Sequence, residues 1–162
     1  MPVSRFPATF VAFCYETATF SLMRNSRHVP ASIFATRRDF GRGSIGPSNT
    51  SYGGVAAMSD GQLVAALFQH YVAWSVHAYL ERFSSRSAGL NELSQQLGEA
   101  RPWLVRKLHG QVPASLADMA EWLIITDRRA TPLGRALADF HRLRAETVRI
   151  TSLTEKETDA VD

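Results

Sequence analysis

The sequence predicts an all-α fold, with five helices over residues 58–150, a basic low-complexity extension over 1–57 and an acidic tail over 151–162. Three observations predict it. Apolar residues recur at helical spacing from Leu63 to Val148. Residues that start and stop helices stand between the periodic stretches, among them Ser59, Gly98, Pro102, Gly110, Ser115 and Pro132. Residues 1–57 show no sustained period and are rich in Ser, Thr, Gly and Pro.

The first helix is expected over 59–84. Ser59 followed three residues later by Gln62 fits a capping box, in which hydroxyl and amide satisfy each other's orphan backbone donors. Its apolar residues, from Leu63 through Leu67, Tyr71 and Val76 to Phe83, occupy more than one face, which implies burial on two sides or a dimer contact. The stretch Ser84 to Gly89 reads as a turn. A short second helix over 90–97 carries Leu90, Leu93 and Leu97 on one side, and Gly98 ends it in the left-handed conformation. Arg101-Pro102 opens a third helix over 101–109, since proline is tolerated in the first turn; Leu104 and Leu108 face inward and Gly110 closes it. A fourth helix starts at Ser115, runs to Ile125 and packs Leu116, Met119, Ala120 and Leu123. Thr131-Pro132 opens a fifth over 131–149, with Leu133, Leu137, Phe140, Leu143 and Val148 at helical spacing. The tail from Thr154 is expected to fray.

Composition narrows the function. The chain has 162 residues, a 45% hydrophobic and 20% charged content, and a single cysteine, Cys14. One cysteine gives neither an internal disulfide nor a multi-thiolate zinc site, and no apolar run is long enough to span a bilayer. The formal charge of +3 is unevenly placed: residues 1–57 hold six arginines against two acids, whereas 58–162 hold twelve basic residues against thirteen acidic. Residues 24–57 read as mostly disordered. Residues 8–23 alternate loosely, as a short docking strand or an apolar tail would. The leader has the Arg, Ser and Thr richness of a transit peptide but no legible amphipathic helix, and it lacks the layout of a secretory signal. Met58, just before the capping box, reads as the natural start. Sixteen arginines against two lysines suit a GC-rich, bacterial coding sequence.

The stretch Leu93-Ser-Gln-Gln-Leu-Gly-Glu-Ala-Arg-Pro-Trp-Leu-Val-Arg-Lys-Leu-His-Gly110 resembles the helix-turn-helix of the phage-repressor family, the Cro and XRE-like regulators. Leu93, the small Ser94 where two helices cross, Leu97-Gly98 at the turn, inward Leu104 and Leu108, and the terminal Gly110 carry the likeness over roughly 63–126. It implies an all-α, five-helix domain containing a helix-turn-helix of the phage-repressor type. It also implies sequence-specific binding of double-stranded DNA by a transcriptional regulator, base-reading roles for Arg101 and Arg106, and phosphate roles for Asn91 and Gln95.

The residues support that reading independently. A recognition helix offers its first turn to base edges, and Arg101 and Arg106 lie close to one exposed side; arginine bonds guanine bidentately or grips phosphate as a fork. Lys107, His109 and Gln111 would add backbone contacts. Trp103, beside Pro102, stands where the family has a small polar residue and would pack on DNA sugars or a protein. Ala100 replaces the usual Ser or Thr cap, and Lys107 occupies a site where the family tolerates an apolar residue.

A homodimer is expected through 59–84, 131–149 or both, acting in the cytoplasm. The competing class is an antitoxin-like or adaptor module that binds a partner through the apolar helix 59–84, and a winged helix running into Thr131-Pro-Leu-Gly134 is the second DNA-binding architecture. No paired carboxylates, nucleophile–base set or metal spacing points to an enzyme. No metal, cofactor or small-molecule ligand is evident: His28, His70, His77, His109 and His141 lack ligand spacing, and His70 and His77 read as hydrogen-bonded core histidines. Gly41-Arg-Gly-Ser-Ile-Gly46 fits G-x-G-x-x-G only literally, with no strand before it or helix after it.

Overall fold

The computed structural model describes residues 28–126 and 131–159, except for the side chains of 131 and 155–159. The described chain is all helical. Two 3-10 turns, Pro30–Ile33 and Arg37–Asp39, precede α1 (Tyr52–Ala56), α2 (Asp60–Leu80), α3 (Arg86–Leu97), α4 (Arg101–Leu108), α5 (Leu116–Thr126) and α6 (Thr131–Asp159). The β pairing among these residues is one isolated bridge between Phe34 and Thr50. No described helix is long and apolar enough to cross a membrane.

The central element is α2, which packs against α6, the first 3-10 turn, α5, α4 and α3. This accounts for its many-sided apolar pattern: Leu63, Ala66, Leu67, Val72 and Val76 are completely buried by the chain's own elements. Its start is the expected capping box, in which the Ser59 hydroxyl accepts from the Gln62 amide and the Gln62 side chain accepts from the Ser59 amide. Helix α3 begins earlier than 90, because Ser85 caps it by accepting from the Ala88 amide. Gly89 therefore lies inside a helix; a Cβ there would come within 2.9 Å of Leu80 and Phe83, so its role is close packing, not a turn. Helix α6 continues to Asp159, since neither Gly nor Pro occurs after Gly134 to stop it. In α5 the buried residues include Met119 and Trp122, whereas Ala120, expected inside, is exposed.

Residues 28–57 correct the expectation of disorder. Ala31, Ile33, Phe34, Phe40, Ile45 and Val55 are buried in the same core as the helices. The segment lacks a period because its polar groups are satisfied one by one across the fold. The Ala31 amide donates to the Gly110 carbonyl at 3.0 Å, and the Ala35 and Ser51 amides donate to Asn49 and Ile33. Phe40 lies on Gly110 so closely that a Cβ there would meet its ring at 2.8 Å. A domain beginning at Met58 would lack these six core side chains. The expectations for residues 1–27, including Cys14 and the alternation at 8–23, lie outside the described residues, as does Asp127–Ala130, the stretch before Thr131-Pro-Leu-Gly134 on which a winged helix would depend.

Two neighbouring polar residues of α2 fasten the irregular segments. Gln69 donates to the carbonyls of Lys107 (2.7 Å) and Val112 (3.0 Å) and accepts from the Ala114 amide (2.9 Å). His70 accepts from the Gly41 amide at Nδ1 (2.8 Å) and donates from Nε2 to the Gly43 carbonyl (2.9 Å). The Tyr71 hydroxyl, next along, donates to Asp139 on α6.

Burial holds the His70 and His77 imidazoles neutral, bringing both from an ordinary 6.5 down to about 4. Between those values the unfolded chain binds more protons than the folded one, so folding stability is complete above 6.5 and is lost as pH falls towards 4. Each histidine is expected to withdraw roughly 3 kcal/mol over that window. Urea unfolding at pH 7.0 and at pH 4.5 should show the midpoint falling sharply; equal midpoints would contradict neutral, buried rings.

Candidate nucleic-acid interface

The turn between α3 and α4 is built by glycine and backbone bonds. Gly98 has φ 62°, its amide donates to Gln95 and the Glu99 amide donates to Ser94, the paired bonds of a Schellman end. The Ser94 hydroxyl also donates to the Glu99 carbonyl at 2.5 Å, which is why a small hydroxylic residue suits the crossing. Gly110, again with φ 62°, closes α4 in the same way, its amide donating to Lys107 and that of Gln111 to Arg106. Leu93, Leu104 and Leu108 are buried beneath, as their spacing predicts, and Ala100 caps α4 with no side-chain bond. Gln69 holds the far end of α4 against α2, so the two-helix unit is fixed at both ends.

The outward face of α4 carries Arg101, Pro102, Trp103 and Arg106, all exposed. Arg101 donates to the Asn91 Oδ1 of α3 at 2.8 Å, which joins the two helices on one surface. The Arg106 guanidinium lies 5.9 Å from the centre of the Trp103 ring, which is 45% exposed. Gln95 and Gln111 are exposed on either side. The structure thus pairs Arg101 with Asn91 and Arg106 with Trp103.

Two expected contacts are corrected. Lys107 is only 8% exposed and its ammonium sits between Glu99 (2.5 Å) and Asp118 (2.9 Å). Three residues on from Leu104, it belongs to the inward face of α4, and its charge is consumed inside the protein. Burial works against that charge, yet the hydrogen bonds that the ammonium donates to Glu99 and Asp118 outweigh it and raise the Lys107 pKa. Burial likewise opposes the Asp118 carboxylate, but Lys107 and the Ser115 amide and hydroxyl hold its pKa below the ordinary value. His109 is half-buried and packs edge-to-face on His77, with ring centres 5.8 Å apart. Burial first, then Arg86 and Arg42, lower its pKa, which disfavours the cation that a grip on phosphate would need.

Sequence reasoning missed the residues that support the interface: Gln69, Glu99 and Asp118. Only Asp118 left a local signal. Ser115 and Asp118 form a second capping box, the Ser115 amide donating to the carboxylate at 2.7 Å and the Asp118 amide to the hydroxyl at 3.1 Å.

Lys107→Ala would leave two carboxylates facing each other in a half-buried site, and we expect a stability loss of about 3 kcal/mol in urea unfolding at pH 7. If the outward face of α4 binds DNA, retardation by the folded fraction should stay within about twofold of the parent, because this side chain does not face outward. A tenfold weakening of DNA binding with unchanged stability would return Lys107 to the interface.

Comparison with family models, curated proteins and solved structures found no match to this chain.

Proposed function

We propose that the chain is a transcriptional regulator that binds double-stranded DNA sequence-specifically, with α4 in the major groove and α3 crossing the backbone. The observation that supports it is the outward face of α4: two exposed arginines, one steadied by Asn91 and the other lying over Trp103, on a helix pair fixed by the Schellman turn and by Gln69. A guanidinium already restricted by a neighbour loses less freedom on binding, so the same contact gives more affinity. One bond to Asn91 leaves Arg101 its other donors for the O6 and N7 of guanine. The acids nearest the turn, Glu99 and Asp118, are spent on Lys107 and so oppose the phosphates less than their number suggests. Asn91, Gln95 and Gln111 rim the face as candidate phosphate contacts. On this reading the protein is a cytoplasmic binding protein and no enzyme.

Two copies on one duplex would set two recognition helices about 34 Å apart. With α2 enclosed, the surface that favours a second copy is α6 together with the end of α5. Leu133, Leu137 and Val148 are exposed near one side of α6, Val148 by 69%, and Ile124 stands 78% exposed on α5. The same face would serve a foreign protein partner if the chain is instead an adaptor.

Replacing Arg101 and Arg106 together by Ala should abolish sequence-specific retardation of a duplex selected from random sequence by the wild type, at unchanged helicity; one such contact is worth about 1–3 kcal/mol. Wild-type affinity should fall linearly in log–log form as salt rises. Retention of full binding by the double variant, or insensitivity to salt, would sink the reading. Leu137→Asp with Val148→Asp should convert a dimer to a monomer in light scattering and weaken retardation at least tenfold. Finding the wild type monomeric at the concentration that saturates DNA would remove the dimer.

A further inference from the structure

A cleft of about 730 Å³ lies between the Gly41–Gly43 loop, the C-terminal end of α2 and the turn leading into α3. Its walls are mixed: Trp74 and Phe83 are apolar, Arg42 and Arg86 are cationic, Glu81 is the acid among the lining residues, and His77 lies in the wall. That volume is within the range of small-molecule sites, and an apolar lining with a few convergent polar groups is their usual chemistry.

The basic side is built rather than incidental. His70 clamps the loop through the Gly41 amide and the Gly43 carbonyl, which holds the residue between them, Arg42, at the cleft. Gly41, with φ 72°, lets the loop approach the His77 ring; a Cβ there would lie 3.1 Å from His77 Nε2 and Cδ2 and 3.2 Å from Ala73. Across the cleft Arg86, the first residue of α3, donates to His77 Nδ1 at 2.8 Å. His77 is buried, and its Nε2 has no hydrogen-bond partner among the described residues. The Arg42 side chain makes no ion pair or hydrogen bond with any described residue, and among the residues lining the cleft Glu81 is the acid that opposes the two guanidiniums. Burial first, and a neighbouring arginine second, make Arg86, His77 and His109 each harder to protonate. The N-terminus of α3, a helix of 12 residues, adds its partial positive charge on the same side. A dianion would neutralise both guanidiniums at once and accept from their unused donors.

We propose that this cleft binds a small phosphate monoester bearing an apolar group, with Arg42 and Arg86 on the phosphate and Trp74 and Phe83 against the apolar part. The site is separate from the outward face of α4, so the two can fail separately. Phenyl phosphate is the probe, followed by tryptophan fluorescence and by thermal denaturation of the full chain. The wild type should bind it saturably and at least tenfold more tightly than inorganic phosphate. Arg42→Gln, whose side chain has no partner to lose among the described residues, should weaken binding at least tenfold with unchanged helicity, and Arg42→Gln with Arg86→Gln should abolish it. Arg101→Ala with Arg106→Ala should bind phenyl phosphate as the wild type does. No saturable binding by the wild type at millimolar concentration overturns the proposal, as does equal affinity for inorganic phosphate, or equal binding by the wild type and the Arg42/Arg86 variant. Loss of duplex retardation in that variant with phenyl phosphate binding unchanged overturns it too, and assigns both arginines to nucleic-acid phosphates.

Discussion

Two adjacent side chains on α2, Gln69 and His70, hold the rest of the molecule in place. Each is buried and each spends its polar atoms on backbone groups far away in sequence. Being neighbours on a helix, they point in directions about 100° apart, and so fasten two different segments to one axis. Gln69 uses both amide protons and its oxygen to fix the end of α4 and the link to α5. His70, acceptor at one nitrogen and donor at the other, fixes the glycine loop. Buried polar groups are costly when unpaired and strongly specifying when satisfied, so an apolar replacement at either site would release a segment that other forces only partly hold. The placement of α4, and with it the arginine face, depends on this pair.

The legibility of the chain follows the range of its interactions. The helices from α2 to α6 were readable because their signals are local: Ser59 with Gln62, Gly98 and Gly110 at left-handed ends, and Pro102 and Pro132 in first turns. Residues 28–57 were not, because Ile33, Phe34 and Phe40 follow no period and their backbone partners lie elsewhere in the fold. The same division runs through the candidate interface. The exposure of Arg101, Trp103 and Arg106 follows from helical phase. The burial of Lys107 depends on Asp118, eleven residues on and beyond a turn, and that of His109 on His77, thirty-two residues back. Gly89 misled for a related reason: glycine is read as a breaker from its own freedom, whereas here it answers to Leu80 and Phe83 across a helix contact.

Net charge is a poor guide to what this molecule offers an anion. Lys107 is held between Glu99 and Asp118 under α4, Arg142 is tied to Asp139 and Glu146 along α6, and Arg144 of α6 to Asp60 at the start of α2. Among the described arginines, two groupings are positional: the pair on α4, and Arg42 with Arg86 at the cleft beside the start of α3. The α3–α4 pair thus has a basic group at the entry of its first helix and another along its second.

The packing of Phe40 on Gly110, and of Ala31 against the same carbonyl, bears on how the chain matures. A segment that emerges early from the ribosome must wait until some seventy further residues are made before the surface it covers exists. Until then Ile33, Phe34 and Phe40 are bare, and long-range closures of this kind slow folding and invite association with other chains. The arginines and glycines interspersed through 37–46 dilute that apolar run, which keeps an unfinished chain from offering a continuous sticky stretch while it waits.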